Sequence, residues 1–148
     1  WDDAPAVWDA LMGGERAATP AGLVARDTLR LEMGYPLYGQ ELSRERTPIE
    51  AGLRWACDMK GGRFFGAETL RRQADEGTPE RLAIFRLTEP GIPRAGQDVV
   101  IGGRKAGTVT SGTPSSMLDV GSGMANVCLR YPSPSPLVRN RTRSSHFA

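Results

Sequence analysis

Arg26 and Arg30 stand four residues apart in "ARDTLRLE", so a helix over this stretch projects two guanidinium groups along one side. A rigid guanidinium on a helix suits a carboxylate or a heteroaromatic acceptor. The same group serves equally as an ordinary surface charge, or in an ion pair with Asp27 or Glu32. Trp55, in "EAGLRW", offers an indole face that stacks on a flat ring or fills a core. Tyr35 and Tyr38 flank Pro36 in the segment that follows, where each either lines a ligand site or packs. Cys57 and Cys128 are too few for a disulfide framework or a zinc site, and both read as buried thiols of a cytosolic protein. The single histidine, His146, is too isolated for catalysis. "GGRKAG" and "GTVTSGTPSS" are glycine-rich but lack the phosphate-loop lysine and its strand–loop–helix setting, so they read as hairpin turns. No metal-ligand set is expected.

These residues need elements to hold them. In "APAVWDALMGG", Val7, Trp8, Leu11 and Met12 form one helical stripe that stops at Gly13-Gly14. In "ERAATPAGLVARDTLRLEMG", Thr19 is the expected cap, Pro20 the first helical residue and Gly34 the end. Thr47, Pro48 and Glu50 repeat the start signal, with Glu50 at capping-box spacing. Gly52 argues against a long helix there, and "LRWACDM" reads as a strand. A short helix is expected at about Ala67 to Glu76, closed by Gly77. Beyond it the pattern turns to β. "RLAIFRLTE" places Leu82, Ile84 and Arg86 on one face and Ala83, Phe85 and Leu87 on the other. "DVVIGGRKAGTVTSG" reads as a hairpin around Gly102-Gly103, and "MANVCLRY" as another strand. After Tyr131 the Pro/Ser alternation and arginines suggest a disordered basic tail.

The 148 residues suffice for one medium domain or two small ones. With 18 glycines and 11 prolines, turns and short strands are favoured over a helical bundle. The net charge of +2 demands no polyanionic partner. No apolar run approaches the ~20 residues that span a bilayer. The acids in "WDDAPAVWDALMGG" do not fit the basic start of a signal peptide, and a chain that opens at Trp1 rather than Met suggests a processed piece. A cytoplasmic location is expected, with no membrane and no nucleic acid as partner. The tail has too few charges and no interleaved aromatics for a stacking platform.

One set of motifs is more specific. A-R-D-T-L-R-L-E is followed by L-Y-G, by T-P-I-E-A-G-L-R-W, by G-R-F-F-G, and then by "GIPRAG" and V-T-S-G, in that order. From about Val7 to Tyr131 the chain resembles the C-terminal half of the glycine cleavage system aminomethyltransferase, the T-protein. The resemblance implies an α+β chain: residues 1–77 as the end of a folate-binding α/β region, residues 78–131 as a small, incomplete antiparallel β-barrel, and residues 132–148 as the tail. It implies transfer of the methylene of an aminomethyl group, carried on the lipoyl arm of the H-protein, to tetrahydrofolate, with release of ammonia. Tetrahydrofolate and the lipoylated H-protein are thus the implied cofactor and partner, in one-carbon metabolism and glycine catabolism.

By the same resemblance Arg26 is a folate contact and Trp55 lies against the folate; of the two loop tyrosines, Tyr35 is the one expected to contact it. Arg30 and Glu32 are expected to hold their helix to its neighbours, Glu50 to cap, and Thr110-Ser111-Gly112 to shape the channel rim. The family's catalytic aspartate has no counterpart in this chain, so no catalytic residue is assigned and the isolated chain is expected to be inactive. The Pro/Ser/Arg end departs from the family pattern and leaves an exposed edge strand in the expected barrel. Two relatives of the family compete. A folate-binding branch serving iron–sulfur assembly and tRNA modification carries K-G-C-[YF]-x-G-Q-E, but Arg63 replaces the cysteine and Ala67 the glutamine. The folate domain of a dimethylglycine or sarcosine oxidising enzyme is the other, although the chain holds no flavin-binding motif.

Overall fold

A computed structural model of the chain describes residues 1–15 and 17–129. Three helices precede four strands: α1 (Ala4–Met12), α2 (Leu23–Met33), α3 (Ala67–Glu76), β1 (Glu80–Arg86), β2 (Asp98–Ile101), β3 (Arg104–Pro114) and β4 (Gly121–Cys128). The architecture is α+β, as expected. The expected tail, 132–148, lies outside the described residues.

Gly13 closes α1, and its stripe is left uncovered: Val7, Trp8 and Leu11 are all more than half exposed. α2 begins at Leu23 with Gly22 as its cap, not at Thr19-Pro20. No side chain caps α2; Gly22, extended at φ −70 and ψ 156, stands at its start. The helix ends at Gly34, whose left-handed backbone (φ 73) turns the chain, and a side chain there would also run into Ile84 of β1. The capping box forms as read. The Thr47 N–H donates to Glu50 Oε2 at 2.8 Å, and the Glu50 N–H donates back to Thr47 Oγ1 at 3.3 Å. It caps a single turn, not a helix, and the Glu50 carbonyl accepts from the Leu82 N–H of β1 at 2.8 Å. "LRWACDM" is not a strand: Arg54–Ala56 form a 3₁₀ turn, because Gly52 at φ 75 folds the chain back before a ladder can start. α3 has the expected bounds and closure, and its Arg71 reaches back to the carbonyls of Met59 and Gly62.

The four strands form one antiparallel sheet in the order β1-β4-β3-β2. It is open, with β1 and β2 as edges among the described residues, which fits an incomplete barrel. The hairpin turns at Gly102-Gly103, both at positive φ (58 and 80). One face buries Phe85, Leu87, Val99, Val109 and Ala125. Phe85 and Leu87 take the side expected of them. The other face, which carries Ser111, Met124 and Ile84 in register, receives α2. Leu31 of α2 and Met124 are closed to solvent there.

β3 departs most from its sequence reading. "GTVTSGTP" is strand, not hairpin turn. Its register against β4 shifts between Val109 and Ser111, where Val109 pairs with Ala125 and Ser111 with Met124. Thr110 is therefore the extra residue of a bulge. Gly112 sits where the backbone of Pro93 crosses the sheet, and a Cβ there would overlap the Pro93 carbonyl. Gly112→Ala should destabilise by about 1–3 kcal/mol, the scale of an overpacked site. Urea unfolding measures this; a variant as stable as its parent would mean that the 91–93 segment can lift off β3 without cost.

Candidate functional site

The best-built polar cluster joins α2 to β3. Arg30 is nearly closed to solvent (7% exposed) and Glu41 completely so (0%). Burying charges is unfavourable unless they are paired and hydrogen-bonded, and both are. Arg30 Nη1 donates to Glu41 Oε2 at 2.9 Å and Nε to Asp27 Oδ1 at 2.6 Å. Nη2 donates to Gln40 Oε1 at 2.7 Å and to Ser111 Oγ at 3.0 Å. Glu41 in turn accepts from the Leu37 N–H at 3.0 Å and from Thr110 Oγ1 at 2.7 Å, and the Ser111 hydroxyl lies against it. A regular strand would send Thr110 and Ser111 to opposite faces. The bulge brings both hydroxyls to the one carboxylate, which re-aims them as bulges do. Thr28 adds a bond to Thr113 at 3.1 Å.

In front of this cluster opens a cleft of about 480 Å³, lined by Asp27, Gly39, Gln40, Arg94, Ala95, Thr110, Ser111 and Gly112. Its walls offer a carboxylate, a guanidinium, an amide and two hydroxyls. That set can orient a polar ligand. Among the described residues no group of three His, Cys, Asp or Glu side chains could hold a metal ion. No helix among them is long and apolar enough to cross a membrane.

At the far end of α2, Glu32 accepts from the Ser115 hydroxyl at 2.6 Å and from the Met117 N–H at 3.2 Å. The Ser115 bond first, and the Met117 amide second, hold its pKa below the ordinary 4.5. A depressed carboxylate stabilises the native state above its unfolded pKa, and that contribution is lost as pH falls through the folded value. Acidification below about pH 4.5 should therefore release the 115–120 loop from α2. The Met117 amide shift, followed by NMR, should titrate in the parent and not in Glu32→Gln; identical profiles in both would rule the tether out.

The three residues expected to contact folate are placed as follows. Arg26 lies one turn before Arg30, exposed, and its guanidinium has no hydrogen bond or ion pair among the described residues. Tyr35 is 60% exposed; its backbone N–H bonds the Arg30 carbonyl while the ring projects outward. Trp55, on the 3₁₀ turn, is 82% exposed and lines a separate open cleft of about 620 Å³ with Cys57, Asp58 and Lys60. Neither this cleft nor the one beside α2 gathers the three. Tyr38 is also exposed, so neither tyrosine packs. Arg30 and Glu32 hold the helix as expected. Cys57 and Cys128 are half-buried free thiols, not buried ones. The sequence reading missed Glu41, Gln40 and Arg94 altogether, and it considered Asp27 only as a partner of Arg26. The i,i+3 spacing of Asp27 and Arg30 was the available signal.

A family profile described as the GCVT N-terminal domain matches residues 1–61, ending ahead of α3 and the sheet. An aminomethyltransferase from Bacillus cereus is 46% identical over 133 residues, which are 88% of this chain and 36% of that protein. One from Halalkalibacterium halodurans is 43% identical over 126 residues, 84% of this chain and 34% of the other. The crystal structure of glycine cleavage system aminomethyltransferase T from Bartonella henselae superposes with a TM-score of 0.78 at 28% identity, covering 91% of this chain and 38% of that one. The chain thus spans about a third of the length of the relatives it matches.

Proposed function

We propose that this chain, which resembles glycine cleavage T-proteins in both sequence and fold, supplies a folate-contacting part of a tetrahydrofolate-dependent aminomethyltransferase. The whole protein would move the methylene of an aminomethyl-lipoyl group on the H-protein to tetrahydrofolate and release ammonia, in the cytoplasm. Residues 1–77 would belong to the folate-binding region and 78–131 to the small barrel. No residue of this chain is assigned the catalytic acid's role.

The observation that carries the reading is the state of α2. Arg30 is locked to the sheet side while Arg26, one turn away on the same face, keeps a guanidinium with no partner among the described residues. A fixed helix bearing a free fork donor suits the ring acceptors and carboxylates of a folate. Trp55 and Tyr35 present exposed aromatic rings suited to a pterin or benzoyl ring. The side-chain types present suit such a ligand. These side chains bind and orient; the one-carbon acceptor chemistry belongs to the folate when bound.

Calorimetric titration of the chain with 5-methyl-tetrahydrofolate tests the reading. Saturable binding is expected. A chain shown by circular dichroism to be folded, yet giving no heat at millimolar ligand, would overturn it for these residues.

A further inference from the structure

We propose that Glu41 is the positioning residue of the cleft beside α2: from behind the wall it fixes the cleft's polar side chains and, through Arg30, the helix that carries Arg26. The inference deepens the folate reading and rests on it for the identity of the ligand.

Neither Arg30 nor Glu41 lines the cleft. Yet, of its charged and hydrogen-bonding side chains, all but Arg94 are bonded to one or both of them. Asp27 and Gln40 are held by Arg30, Thr110 by Glu41, and Ser111 by both. Glu41 also binds its own loop through the Leu37 N–H. One carboxylate thus joins three parts of the chain: the loop after α2, α2 itself, and the bulge of β3, about 70 residues further on.

Filling the same space does not require charge. An apolar pair of similar volume is often as stable as a buried ion pair. Such a pair would take from Asp27, Gln40, Thr110 and Ser111 the partners they share, leaving Thr110 on the Met124 carbonyl and Ser111 on Gln40, neither of which reaches α2. The arrangement therefore accounts for the wall's geometry and for the rotation of α2 about its axis, which sets where Arg26 points. A side chain that only stabilised the fold would leave ligand affinity unchanged in the folded population.

The test uses the full 148-residue chain and Glu41→Gln. The amide keeps the shape, can still accept from Arg30, and can donate to a hydroxyl, but the charge is gone. Two readouts are taken: amide hydrogen exchange along α2, β3 and β4, and titration with 5-methyl-tetrahydrofolate. The expected result is exchange about tenfold faster in α2 than in the parent, with β4 protection kept, and affinity weakened about tenfold. Should Glu41→Gln fail to fold, Arg30→Met combined with Glu41→Leu takes its place; it should fold and still bind the folate more weakly. Unchanged α2 exchange with unchanged affinity overturns the proposal. If the parent does not bind 5-methyl-tetrahydrofolate, the folate reading fails by itself, and the exchange data still decide the positioning role: faster α2 exchange supports it and parental exchange refutes it.

Discussion

Glu41→Ala should destabilise the chain by about 3–5 kcal/mol, the cost of breaking a buried ion pair by removing one partner. The structure explains why the loss should fall at this end of the range of single substitutions. Glu41 is completely enclosed, so no water replaces its oxygens when the side chain is truncated. Arg30 keeps Asp27, Gln40 and Ser111, and Thr110 keeps the Met124 carbonyl, but the Leu37 amide loses its acceptor in a closed space and the guanidinium loses its buried counter-charge. A domain of this size holds about 5–15 kcal/mol in all. The substitution should therefore lower the melting temperature by on the order of 10 °C. Thr110→Val removes one of the bonds and should cost about 1 kcal/mol. Chemical unfolding of both variants checks the ranking. A Glu41→Ala loss below that of Thr110→Val would mean that water enters and the carboxylate is not a hub.

The signals that were legible in the sequence are local. The Thr47–Glu50 box, the Gly34 and Gly77 stops and the Gly102-Gly103 turn each depend on a few adjacent residues, and each formed as read. Phe85 and Leu87 took their expected side because period-two alternation needs nothing from outside the strand. What was not legible depends on pairing between distant segments. "TVTSGTP" has the composition of a turn, and only its register against β4 makes it a bulged strand. Arg26 and Arg30 look alike in "ARDTLRLE". Their fates differ because Ser111, 81 residues further on, reaches Arg30. Glu41 carried no motif, since its partners Thr110 and Ser111 are brought to it only by that bulge. The stripe of α1 was read correctly as a helix face, but a stripe names no partner, and among the described residues none covers it.

Arg26→Ala should weaken 5-methyl-tetrahydrofolate binding by about 1.5–3 kcal/mol, the scale of a hydrogen bond to a charged group, or roughly 10- to 150-fold in dissociation constant. The fold should not notice. Arg26 is exposed and has no partner among the described residues, so its truncation belongs with surface changes that stay within about 0.5 kcal/mol. Alanine is also the better helix former. The separation of affinity from stability is what distinguishes a ligand contact from a packing residue, and it is the reverse of the pattern expected at Glu41, where both fall. Arg26→Lys sharpens the test. It keeps the charge but not the planar fork, so partial loss would point to bidentate recognition and full retention to a simple charge. Calorimetry on the two variants, beside their melting curves, decides it. Affinity unchanged in Arg26→Ala would leave Arg26 as a solvated charge on a helix, and the folate contacts would then have to be sought at Trp55, at Tyr35 or in the cleft that Glu41 holds.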